Sequence, residues 1–141
     1  MHFNPENEVV SLCAQGMEME GKRNLKEASR FYSLAWELAT TDTEKFVAAH
    51  YVARIQETVA DKLGWDQTAL AFALKINGVG IESVLPSLYL NIAKCFEDLG
   101  DTDLATKNYQ LAISHMGSLP DNSYGQLIKG GIEAGLQRMK I

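Results

Sequence analysis

The chain is poor in the residues from which most metal and catalytic sites are assembled. Its 141 residues include three histidines and two cysteines, and no pair of them has the spacing of a zinc site. His2, His50 and His115 stand far apart in sequence. No phosphate-binding loop with its lysine occurs, and Gly78-Val79-Gly80 is followed by Ser83 where a dinucleotide loop needs a third glycine. That stretch reads as a turn. Ser114 and His115 are adjacent on a helix and point in different directions, so they do not make a nucleophile pair. The chain is therefore expected to be no enzyme and to hold no cofactor or metal.

Basic charge is also scarce. Thirteen Lys and Arg, scattered along the chain, face eighteen Asp and Glu for a net charge of −5. Long-range attraction to nucleic acid or to an anionic membrane is not expected. There is no apolar run of membrane-spanning length, and the start, through Asn4, Pro5, Glu6 and Asn7, is polar rather than basic and apolar. A cytoplasmic location is the expectation. Cys13 and Cys95 sit inside helical patterns and read as buried or half-buried thiols, the alternative being one disulfide. Three prolines, at positions 5, 86 and 120, punctuate the chain without interrupting it.

What is present is a repeated stripe. Ala28, Tyr32 and Ala35 recur with the same spacing as Ala105, Tyr109 and Ala112, and Ala69, Ala73 and Ile76 keep that spacing between them. Such residues share one face of a helix. Helices are expected at about 6–21, 24–40, 43–63, 66–77, 85–99, 102–116 and 122–139, with boundaries good to about two to four residues. Leu63-Gly64 and Leu99-Gly100 are read as helix ends, as is Gly21 to Asn24, with Asn24 capping the helix that follows. Connections this short make antiparallel hairpins. The expected fold is all-α, an α-α superhelix of such hairpins with about seven helices.

The pattern resembles the tetratricopeptide repeat, a 34-residue helical pair. Tyr89, Ile92, Ala93, Phe96, Gly100-Asp101, Ala105, Tyr109 and Ala112 carry the resemblance in the third unit, and Leu12, Gly16, Met19, Ala28, Tyr32 and Ala35 carry it in the first. In the middle unit Glu57 takes a position meant for a small residue and Ala73 replaces the ring. The intervals from Ala28 to Ala69 and from Ala69 to Ala105 both exceed the family period, the first by more. The resemblance implies one domain over 1–141, with repeats at about 8–41, 43–78 and 85–118 and a capping helix at about 121–139. Asp121, Asn122 and Ser123 are candidate caps for that last helix, whose Gly131 and Gly135 read as sites of close approach to the preceding helix.

In that family the first helices of the hairpins line a concave groove that takes a peptide or partner helix. Carried over by register, the groove positions are Val10, Cys13, Met17 and Glu20; Tyr51, Arg54, Thr58 and Asp61; and Ser87, Leu90, Lys94 and Glu97, with Asn91 alongside. Met17, Glu20, Tyr51, Arg54, Thr58, Asn91, Lys94 and Glu97 are the candidate partner-binding residues. Arg54, Asn91 and Lys94 have the chemistry to hold a carboxylate. Alternatively Tyr51 packs and Arg54 pairs with Asp61, Glu57 or Glu97. Trp65 reads as a staple of a turn, and Trp36 as core or an inter-repeat contact. The function implied is a protein-interaction module. A homodimer joined through array ends and the glycine-bearing last helix is the alternative, and a small-molecule site around His50 and Arg54 is the third.

Overall fold

The helices begin at more regular intervals than the stripe of small residues indicates. In the computed structural model, which describes residues 3–78 and 80–140, α1 (Glu8–Gly21), α2 (Leu25–Leu38), α3 (Asp42–Arg54) and α4 (Val59–Ala73) start at equal spacings along the chain. The same spacing separates the start of α5 (Leu85–Asp98) from that of α6 (Thr102–Ser114), and α7 (Ser123–Met139) follows a 3-10 turn at Met116–Ser118. No strand occurs among the described residues. Val79, assigned to a turn from the sequence, lies outside them, but its neighbour Gly80 has a left-handed φ of 99°.

Polar caps set these starts. The side chains of Asn7, Asn24, Thr41, Thr58, Asp101 and Asn122 accept from the N–H of Val10, Glu27, Glu44, Asp61, Leu104 and Gly125. Each satisfies one of the donors that a helix start leaves without an intrahelical partner, at about 0.5–2 kcal/mol. Thr41 and Glu44 complete a reciprocal capping box. Glu44 also accepts from Asn7, which joins the start of α1 to that of α3 and helps hold its carboxyl down to about 2. Pro86 occupies the first turn of α5, where its missing N–H is no loss.

The ends correct two sequence expectations. Gly100 closes α5 at φ 84°, as expected, but α1 closes on Arg23 at φ 60°, with Gly21 still helical. Gly64 closes nothing, because it lies inside α4. The helices expected at 43–63 and 66–77 are in fact α3 and α4, joined through Ile55–Thr58. The linker carries no glycine or proline, and the cap on Thr58 starts the new helix where helical periodicity alone runs straight on. Glu57 therefore lies in the linker and not at a small-residue position. From α1 to α3 the interval matches the family period, whereas from α3 to α5 it is longer, and the added length lies between α4 and α5.

The chain divides into two compact units, His2–Ile76 and Asn77–Ile141. In the first, α1 packs on α2, α3 on α4, and α3 also meets α1 and α2. Ala28, Ala35, Ala48, Ala49, Ala69 and Ala73 are fully buried, and their small side chains let the helices approach closely. Gly16 makes room for the ring of Tyr32: a β-carbon there would fall under 3.0 Å from three of its atoms. In the second unit α5, α6 and α7 pack on one another around Ala93, Ala105 and Tyr109. Gly135 receives the Tyr109 ring in the same way, and Gly131 lies against Leu90. Both glycines thus serve close approach, to α6 and α5 respectively. Cys13 and Cys95 are buried, and neither forms a disulfide among the described residues.

Candidate interaction face

Each unit contains the same three-residue clip. In the first, the Tyr32 hydroxyl donates to Glu20 at 2.5 Å, while Nε and an Nη of Arg54 donate to the two Glu20 oxygens at 3.0 Å each. In the second, Tyr109 donates to Glu97 at 2.6 Å, and Arg138 spans both Glu97 oxygens at 2.8 and 3.1 Å. Glutamate precedes tyrosine by 12 residues in both clips, and the arginine follows the glutamate by 34 and 41 residues. A hairpin is thereby fastened to the next helix along the chain, α1–α2 to α3 and α5–α6 to α7.

The forked guanidinium matches the carboxylate, so both clips are charge-assisted pairs of fixed geometry. Arg54 holds Glu20 below the usual carboxylate range, and Arg138 does the same for Glu97. Burial, aided by the glutamate it serves, drives the Tyr109 phenol up to about 12 and raises that of Tyr32 as well. Both tyrosines remain donors at any physiological pH. The arginine side chains are 47% and 46% exposed, so each ion pair contributes no more than about 0–1 kcal/mol. The buried rings supply most of the energy, and the charges fix their orientation.

These partners decide what the expected groove residues are free to do. Glu20 and Arg54 are committed to one another, not Arg54 to Asp61, Glu57 or Glu97. Lys94 pairs with Asp98 at 2.5 Å and lies 4.0 Å from Glu97, which Arg138 also engages. Tyr51 stacks on Tyr32 at 5.4 Å and 28° and is half-buried. Met17 is 46% exposed on α1, and Asn91 is half-buried on α5. Thr58 is the cap of α4, which removes it from the face of α3, and Cys13 is buried with its thiol pushed up to about 12. Sequence reasoning did not find Tyr32, Tyr109 and Arg138 as partners of this face. The repeated glutamate-to-tyrosine interval was the available signal.

The middle hairpin departs from the clip at every position. Where the first hairpin has Gly16, Glu20, Ala28 and Tyr32, the offset from α1 to α3 brings His50, Arg54, Lys62 and Asp66. Large and small have changed places. The bulky imidazole occupies the glycine position, and a carboxylate, 1% exposed, takes the place of the tyrosine ring. Lys62 donates to Asp66 at 2.6 Å. The Nδ1 of His50 is buried without a hydrogen-bond partner, and its ring meets Tyr51 edge-on at 5.3 Å.

Burial lowers the His50 pKa below 6.5, against the pull of Asp66 and with further lowering from Arg54 and Lys62. The unfolded chain then binds a proton more readily than the folded one, so this histidine costs stability as pH falls below 6.5. Glu20 and Glu97 act in a lower window, because their contribution is lost only as pH falls below 4.5. Urea unfolding is therefore expected to show a loss of stability as pH falls below 6.5 that His50→Gln removes. An unchanged slope in that variant would show that His50 is not its source.

Among the described residues no group of three or more His, Cys, Asp and Glu is placed to hold a metal. No described helix is long and apolar enough to cross a membrane. No protein-family model matches the sequence, and no curated protein matches it. Among solved structures, the chain is similar to the TPR domain of Arabidopsis FLU, with a TM-score of 0.67 and 22% identity, over 82% of this chain and 99% of that one. Helical hairpins of equal internal spacing, small residues at their seams and this likeness agree: the chain has an all-α, tetratricopeptide-repeat-like fold.

Proposed function

We propose that the chain is a cytoplasmic protein-interaction module, one domain over residues 1–141, that takes a partner's peptide or helix on the face of α1 and α3. The observation that carries this reading is the make-up of that face. Met17 is exposed and Tyr51 half-buried, each one turn before a member of the neutralised Glu20–Arg54 pair. Methionine adapts to irregular apolar shapes, and tyrosine provides contact area at little cost in side-chain freedom. Because Arg54 is already engaged, the face suits an apolar anchor better than a carboxylate. Asn91 and Lys94 on α5 extend the same mode in the second unit, Lys94 after exchange with Asp98.

The test is affinity capture from the native cell, with the retained proteins identified by mass spectrometry. Met17→Glu is expected to reduce partner retention by about tenfold or more with an unchanged melting temperature, because the position is exposed. Equal retention would remove this face. A homodimer is the second reading, favoured by Leu127 and Tyr124 on α7, which are 73% and 45% exposed. Light scattering that finds only monomer at high concentration would dispose of it.

A further inference from the structure

Gly64 is a helix-interior glycine that packing does not require. A β-carbon there would meet nothing within 4 Å, unlike those at Gly16 and Gly135. Such a glycine costs about 0.5–1 kcal/mol relative to alanine. What it leaves is a notch. A cavity of about 300 Å³ is lined by Trp36 of α2 and by Ala60, Asp61, Gly64, Trp65 and Thr68 of α4.

The walls and the charge of this notch have a common preference. The two indoles stand edge to face, their centroids 5.1 Å apart and their planes at 86°. The backbone at Gly64 and the methyl of Ala60 leave the floor low. Asp61 is exposed and has no ion-pair partner among the described residues. Thr68 donates its hydroxyl proton to the Gly64 carbonyl at 2.9 Å, so toward a ligand its oxygen offers lone pairs only. The notch therefore presents aromatic rings, one carboxylate and an acceptor, and no side-chain cation lines it. Outside that lining, the Lys45 ammonium lies 4.8 Å from the Trp36 ring centroid, so this indole already stands against one cation.

We propose that this notch binds a quaternary ammonium group. The indoles attract the cation through their ring quadrupoles, and Asp61 neutralises it. A primary ammonium would lose most of its hydration for few acceptors, whereas a fully methylated one has no N–H to satisfy. Two sources carry this group, a free choline-type molecule and a trimethylated lysine side chain.

Trp36 and Trp65 are the two tryptophans of the chain, so intrinsic fluorescence reports on the notch directly. The full chain is titrated at constant ionic strength with choline, Nε-trimethyllysine, lysine and 3,3-dimethylbutanol, the neutral analogue of choline. A saturable change with choline or trimethyllysine is expected, with lysine and the neutral alcohol at least about tenfold weaker. Whichever of the two cations binds more tightly identifies the source. Asp61→Asn should weaken binding about tenfold, and Gly64→Leu, which fills the notch, should abolish it while circular dichroism stays unchanged. No saturable change, or equal binding of the alcohol, overturns the proposal. If Gly64→Leu unfolds the chain, the ligand series and Asp61→Asn still decide it.

Discussion

Tyr109→Ala is expected to destabilise the second unit by about 3–5 kcal/mol, and Tyr32→Ala to do the same in the first. Both rings are fully buried. Truncation leaves a cavity lined by residues that already pack closely, and it leaves each glutamate with its arginine but without the phenol. Tyr109→Phe separates the two contributions. It keeps the ring and removes the hydroxyl, which should cost about 1.5–3 kcal/mol, the range for a hydrogen bond to a charged group. Urea unfolding of the three variants measures both. A loss below about 1 kcal/mol for Tyr109→Ala would mean that the ring does not organise its unit.

The second large effect opposes the usual rule for glycine in helices. Alanine in place of an interior glycine ordinarily stabilises by about 0.5–1 kcal/mol. At Gly130 and Gly64, where a β-carbon meets nothing within 4 Å, that gain is expected. At Gly16 and Gly135 the same methyl would press into a buried tyrosine ring. Neither ring has room to retreat, since its hydroxyl is held by a glutamate. Overpacking then outweighs propensity, for a net loss of about 1–3 kcal/mol. Thermal melts of Gly130→Ala and Gly135→Ala, both on α7, should shift in opposite directions. A rise in both would show that the ring–glycine contacts do not constrain the fold.

The hairpins were legible in the sequence because small residues and rings recur at helical spacing where helices must touch. The stripes at Ala28–Ala35 and Ala105–Ala112 are buried as their spacing predicts, and Asn24, Asn122 and Gly100 act as cap and stop. The middle hairpin is obscured in the sequence for a physical reason. Its packing pair is inverted, with His50 where a small residue belongs and Asp66 where the ring belongs, so spacing alone aligns Ala69 with Ala28, whereas in the structure it answers to Ala35. Gly64 reinforces that alignment because a glycine in open helix has the same composition as one that ends a helix.

The candidate face was less legible than the fold. A register error of about two helical turns placed Thr58 on it, and no local pattern shows that Arg54 is consumed by Glu20 from another helix. Charge in sequence does not reveal whether the charge is free. The three-dimensional pairing shifts the expected anchor from a carboxylate held by Arg54 to an apolar group against Met17 and Tyr51.

Site-directed photo-crosslinking tests that assignment most directly. A benzophenone amino acid is placed at Met17, on the proposed face, or at Ser33, an exposed position on α2, and irradiated in the native cell. Binding on the face of α1 and α3 predicts a discrete crosslinked partner from position 17 and none from position 33. Crosslinks to the same partner from position 33 alone would contradict it.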